Sequence, residues 1–230
     1  MTDTIKNRNL PKRICFYTFG VIVMYFGVAL SVKVDIGVAP GSVIAYSLSK
    51  LTPLTVGMCT TIFQIFCVLV QLAITRRFTL KLILQFPLAY VFGFLLDFYL
   101  GLMRFELPGV AIRLLLLVAG MIIFSLGIRI IVGADMLLSP PDGLAQTLGR
   151  LLGWPMSKSK LGFDIVVTVI AAMLTLILAG NAFLAANVGT VICAAGTGPI
   201  IGLFTKLLPF FDVQDKKLKQ KTAASKNTPA

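Results

Sequence analysis

Charged side chains are scarce in this sequence, and those inside apolar runs are where any chemistry would have to sit. Asp97, Arg129 and Asp164 each fall in a long apolar stretch. An ionised group at bilayer depth costs a few kcal/mol on insertion scales, so such residues mark an ion or substrate pathway unless they find a structural partner. Asp97 and Asp164 are the candidates for ion coupling. Arg129 can snorkel to the interface or form an ion pair, and by depth it is the nearest cation for Asp164. A polar residue, Gln64, stands one hundred positions before Asp164.

A second set of candidates lies just after two of the apolar runs. Asp35 leads to Pro40 and Ser42, and Asp135 leads to Pro140 and Asp142. Each Pro can open a helix, since its missing N–H is not needed at the first helical position. Ser139 is a suitable N-cap, with Asp142 three residues on. Leu144, Leu148, Leu151 and Leu152 share one helical face. Each aspartate can cap a turn and hold the short helix that follows. Alternatively, free N–H groups at Pro40 and Pro140 would present positive dipole ends to an anion. Asp142 argues against an external anion at the second of these, because its own carboxylate can take that place.

These candidates recur because the chain is duplicated. At an offset of one hundred, Gly20 pairs with Gly120, Gly27 with Gly127, Asp35 with Asp135 and Pro40 with Pro140, without a gap. Composition alone rarely matches Gly, Asp and Pro positions, so the pattern is an internal repeat. Gly20/Gly27, Gly120/Gly127 and the Gly189–Gly202 series are expected to let helices approach closely.

The chain is 57% apolar and 13% charged, too apolar for a soluble domain of 230 residues. Its net charge of +12 is spread between apolar runs and in the tail, which is a membrane-orientation pattern and not a nucleic-acid face. Four cysteines lie in apolar runs without paired spacing, and there is no histidine, so no metal site or cofactor is expected. No phosphate loop or catalytic triad is present, and the chain is not expected to be an enzyme.

Six runs can cross a core that takes about 20 helical residues each: 14–33, 54–75, 82–103, 110–132, 159–179 and 183–207. The expected fold is an all-α membrane protein of six transmembrane helices. Residues 1–13 form a basic cytoplasmic N-terminus, 14–108 a first repeat of three crossings, 109–208 a second, and 209–230 a disordered basic tail. Arg76, Arg77, Lys81, Arg150, Lys158, Lys160 and the terminal lysines fall on one side, against Lys33, Lys50, Arg104 and Arg113 on the other. The positive-inside rule then puts both termini in the cytoplasm. Three crossings per repeat invert the second relative to the first, a common transporter plan. Residues 40–52 are too short to cross and form, with their counterpart, a re-entrant or interfacial helix in each repeat.

The Asp-x-Gly-x-x-Pro stretch after a glycine-bearing first helix, echoed after the fourth, resembles the YczE/YyaS/YitT group of bacterial membrane proteins. The resemblance rests on Gly27, Asp35, Gly37 and Pro40, on Gly127, Pro140, Asp142 and Gly143, and on Gly-Thr-Gly-Pro at 196–199. Leu137 departs from it where the first repeat has Gly37. It implies a six-helix protein of the bacterial cytoplasmic membrane and no settled activity. The expected function is that of a small permease-like secondary transporter, its site between the repeats. The lipid bilayer and a small-molecule substrate are the expected partners, with a homodimer or a membrane complex as further assemblies. The alternatives are a substrate-binding subunit of a larger system and an accessory protein acting by contact alone.

Overall fold

The computed structural model describes residues 10–106, 109–134, 136–154, 156–180 and 187–207. Asp135, the terminal segment 1–9 and the tail from 208 onward lie outside them. The described residues form α1 (Leu10–Val34), a 3-10 turn (Pro40–Ser42) running into α2 (Val43–Leu51), α3 (Val56–Thr75), α4 (Leu80–Leu102), α5 (Val110–Ala134), α6 (Pro140–Leu152), α7 (Met156–Ala179) and α8 (Val188–Leu207). The hundred-residue offset holds at the level of elements: α1 and α5 start and stop at equivalent positions, and so nearly do the two short helices.

Five helices, α1, α3, α4, α5 and α7, are long and apolar enough to cross a bilayer, while α8 carries a shorter apolar stretch, Gly189–Phe204. This is a multi-pass helical membrane protein. Because lipid offers no hydrogen-bond partner, backbone groups freed at helix ends need other partners, and several ends here are capped. Thr55 accepts the Met58 N–H at the start of α3, Arg76 closes it in a left-handed turn, and Gly153 ends α6 at a φ of 65°.

The core is built on the crossing of α1 with α5. Gly20 faces Ile130 and Ile131, Gly27 faces Gly120 and Phe124, and Gly127 faces Met24. Partner numbers fall on α5 as they rise on α1, so the two helices run antiparallel. The contacts also exchange under the offset: Gly27 against Phe124 becomes Gly127 against Met24, and Gly20 against Ile131 becomes Gly120 against Ser31. Around this pair, α4 packs on α1 and α8 on α5, while α3 packs on α6 and α7 on α2. Each half therefore holds the short helix of the other. Gly189 and Gly196 also make close contacts, but Gly198 and Gly202 have open space where a side chain would go. Among the described residues those two pack against nothing.

Candidate functional site

The first short helix hangs from Asp35. This residue leaves α1 with a φ of 56°, in the left-handed region that Asp tolerates better than most side chains. Its carboxylate accepts the Tyr46 hydroxyl and lies 3.0 Å from Lys50 Nζ, both on α2. The chain therefore departs at Asp35 and returns to it near the end of α2, so the helix starts away from Asp35 and rises back toward it. Between them, Gly37 packs on the backbone of Gly189 and Thr190, where a side chain would clash, and the Val38 N–H reaches Thr190 Oγ1 at 3.4 Å. Pro40 is buried, and Ser42 is half-buried without a side-chain capping bond.

The second short helix is held by two buried glutamines of the other half. Gln71 Nε2 donates to Pro140 O at 3.0 Å and to Gln85 Oε1 at 3.2 Å, while Gln85 Nε2 reaches Leu138 O at 3.5 Å. Gly143 lies against both amides, with no room for a larger residue. Ser139 occupies the N-cap position, but its hydroxyl donates to Asp142 Oδ2 at 2.7 Å instead of capping the backbone. On the leucine face, Leu144 and Leu148 pack on the core, whereas Leu151 and Leu152 are exposed.

Lys160 joins these parts. From the second turn of α7 its Nζ lies 2.8 Å from Asp142 Oδ1 and 2.7 Å from Asp164 Oδ1. A methyl group at Gly41 would sit 3.7 Å from the same ammonium, so the beginnings of both short helices converge on it. Asp142 lies in the first turn of α6, where the helix dipole favours negative charge. Burial pushes its carboxyl up, but the Lys160 ammonium and the Ser139 hydroxyl outweigh that and hold it below its ordinary value.

Beside Asp142 is a cavity of about 20 Å³ whose polar lining is Tyr17, Ser139 and Asp142, and whose apolar walls include Met24, Phe92 and Leu138. That is room for about one water. Next along α1, Tyr25 stacks on Phe92 at 4.9 Å and receives the Gln64 Nε2 donor at 2.8 Å. Gln64 Oε1 is buried and meets no hydrogen-bond donor among the described residues.

A family model described as a family of unknown function (DUF6198) matches residues 11–206. The chain belongs to that family. No curated protein and no solved structure matches it. The DUF6198 match runs from the start of α1 to the end of α8, so both halves and the whole Lys160 cluster lie inside it.

In this DUF6198 member the expected site residues divide into three places. Asp142 and Asp164 meet at Lys160, with Pro40 and Pro140 at the heads of the two converging helices. Gln64 belongs to the neighbouring tyrosine cluster. Asp35 works at the far end of α2, and Asp97 caps α3: it accepts Thr55 Oγ1 at 2.5 Å and the Gly57 N–H at 2.7 Å. Asp135 is outside the described residues. The cation beside Asp164 is Lys160, one turn earlier on the same helix, and not Arg129, which depth alone favoured; Arg129 is buried on α5. Lys160 itself was missed because it was counted only among the charges that set orientation, although the expected 159–179 run contains it. Its four-residue spacing from Asp164 was the available signal. Gln71, Gln85, Tyr17 and Tyr25 give no such signal, since nothing in their own helices calls for a partner.

Proposed function

We propose that the chain is a small permease-like secondary transporter of the bacterial cytoplasmic membrane, made of two inverted repeats of three crossings, with α8 as the sixth. The observation that carries this reading is the convergence of two short-helix starts from opposite halves on one charged cluster beside a water-sized cavity. Discontinuous helices that meet between inverted repeats are the recurrent substrate and ion sites of transporters. The antiparallel α1/α5 crossing, with contacts that exchange under the repeat offset, supports inversion. So does the grouping of Lys33, Asp35, Phe105, Glu106 and Arg113 around one cavity of about 310 Å³, at the end of the bundle opposite Arg76 and Arg150. Both termini are then cytoplasmic, and α2 and α6 re-enter from opposite faces. Kinship with the YczE/YyaS/YitT group belongs to the same proposal, as does the absence of enzyme chemistry.

Two measurements test it. Single cysteines placed at Lys50 and Arg150 should label from opposite sides of the membrane, and labelling from the same side rejects the inversion. Purified protein in liposomes should accelerate the flux of at least one small solute across a panel, and Asp164→Asn should remove that acceleration while the protein still folds. A panel without accelerated flux argues for an accessory role by contact.

A further inference from the structure

The Lys160 cluster has two carboxylates for one ammonium, and the two are not equivalent. Asp142 has three supports: the N-terminal turn of α6, the Ser139 hydroxyl and Lys160. Asp164 lies in the third turn of α7, where the helix's own amides are already spent. Among the described residues its side chain has one donor, Lys160. When Lys160 is shared, Asp164 is the carboxylate left short of positive charge.

The first half carries a neutral version of the same three positions. Ser42, Thr60 and Gln64 stand where the second half has Asp142, Lys160 and Asp164. Thr60 turns back to Val56 O at 2.8 Å. Gln64 is a carboxamide, shaped like a protonated carboxyl group and unable to ionise. One half is therefore fixed in the neutral form, and only the other can change charge.

We propose that Asp164 is the proton-carrying side chain of this protein and that Asp142 is its permanent anion. A proton arriving through water adds to the Asp164 carboxylate, the cluster goes from one excess negative charge to none, and Lys160 passes wholly to Asp142. Because Lys160 and Asp164 both belong to α7 and Asp142 to α6, that transfer releases a pair internal to α7 and tightens the short helix on the α7 ammonium. The water-sized cavity against Asp142 and Ser139 gives a water molecule a place to sit at the cluster, and in the neighbouring tyrosine cluster the buried Gln64 Oε1 has no donor among the described residues.

The other groups around the cluster fit this assignment. From α1 they are Tyr17 and Tyr25; from α3, Cys67, within electrostatic reach of Asp142 and Lys160. All three are neutral at physiological pH in ordinary surroundings. From the 3-10 turn, the cluster meets the Gly41 backbone. Tyr46 and Lys50 of α2 are engaged with Asp35 instead. An inorganic cation has no vacancy here, since a tethered ammonium already lies between the carboxylates.

The proposal deepens the transporter reading and rests on it only for the proton's role in a cycle. It is tested without cargo, by infrared difference titration of the full chain in lipid nanodiscs with protons as the only ligand. One of the carboxyl bands that appear as pH falls should belong to Asp164. It should vanish in Asp164→Asn and move in frequency in Asp164→Glu. In Asp142→Asn it should persist but appear at lower pH, by about one to three pH units, because Lys160 is left to Asp164 alone. Survival of that band in Asp164→Asn, or its disappearance or failure to move to lower pH in Asp142→Asn, overturns the assignment. If Asp164→Asn does not fold, Asp164→Glu and Asp142→Asn still decide it. A normal band in protein that moves no solute leaves the proton site standing and removes the transport reading.

Discussion

Gly27→Ala should lower the stability of the protein by about 3 kcal/mol, toward the upper end of what overpacking one methyl group costs. The reason is what surrounds the site. A Cβ at Gly27 would meet the Phe124 backbone N, and would lie 2.7 Å from Gly120 O and 2.9 Å from Phe124 Cα. A side chain could rotate away, but backbone atoms of a packed helix move only if the helix does. The repeat predicts a matching loss in Gly127→Ala, where the obstruction is the Met24 backbone, at 2.5 Å from both N and Cα. The two changes act on one crossing, so the double variant should lose less than the sum. Gly198→Ala is the control: it has open space and should change stability by no more than about 0.5 kcal/mol, as surface substitutions usually do. Thermal denaturation in detergent, with folded fraction followed by gel filtration, gives the comparison. If Gly27→Ala melts with Gly198→Ala, the helices do not cross this closely.

That contrast also marks how much the sequence could say. Gly27 and Gly127 were legible because they recur at the repeat offset, one heptad after Gly20 and Gly120, and a face that recurs has a packing reason. Gly198 and Gly202, four residues apart, also share a helix face, but spacing fixes no more than that. It does not fix which face is turned inward. The short helices were legible because Pro40 and Pro140 suit the first position of a helix, and Asp35 was legible as the residue that holds one of them. Its partners, Tyr46 and Lys50, follow from α2 returning along its own approach. The start of α7 was harder. Apolar content points to residue 159, yet the helix begins at Met156, because lysines there lie on a helix while their charges reach toward polar groups. Reading by apolar runs thus kept Lys160 just inside the expected 159–179 run, where it counted as an orientation charge and not as a partner for Asp164. The glutamine clasp on α6 was not legible at all: Gln71 and Gln85 acquire their roles only when α6 of the other half is brought against them.

Lys160→Met should be the most costly change in the polar centre, with a loss of about 3 kcal/mol. Removing one member of a buried charge group leaves the others uncompensated, at a typical cost of about 3–5 kcal/mol. The low end applies because Lys160, Asp142 and Asp164 keep 32%, 22% and 18% of their side-chain surface exposed. Two carboxylates that shared one ammonium would then face each other without it. Adding Asp164→Asn to Lys160→Met should restore part of the loss, because one carboxylate alone can be held by Ser139 and the first turn of α6. Adding Asp142→Asn instead should restore less, since it also removes the anion from that turn. The order of these two rescues separates the roles of the carboxylates through stability alone. The pH dependence follows from Asp142, whose carboxyl is held below its ordinary value of 3.8. A group depressed on folding contributes fully above its unfolded value, and the contribution is lost as pH falls through the folded one. The parent should therefore lose thermal stability on acidification below the ordinary carboxyl range, and Lys160→Met should lose less there, having little of that contribution left. Equal melting temperatures for Lys160→Met and the parent at neutral pH would show that the ammonium does not hold α6 to α7. The convergence of the two short helices would then have to rest on the Gln71–Gln85 clasp and the Asp35 link, neither of which touches Asp164.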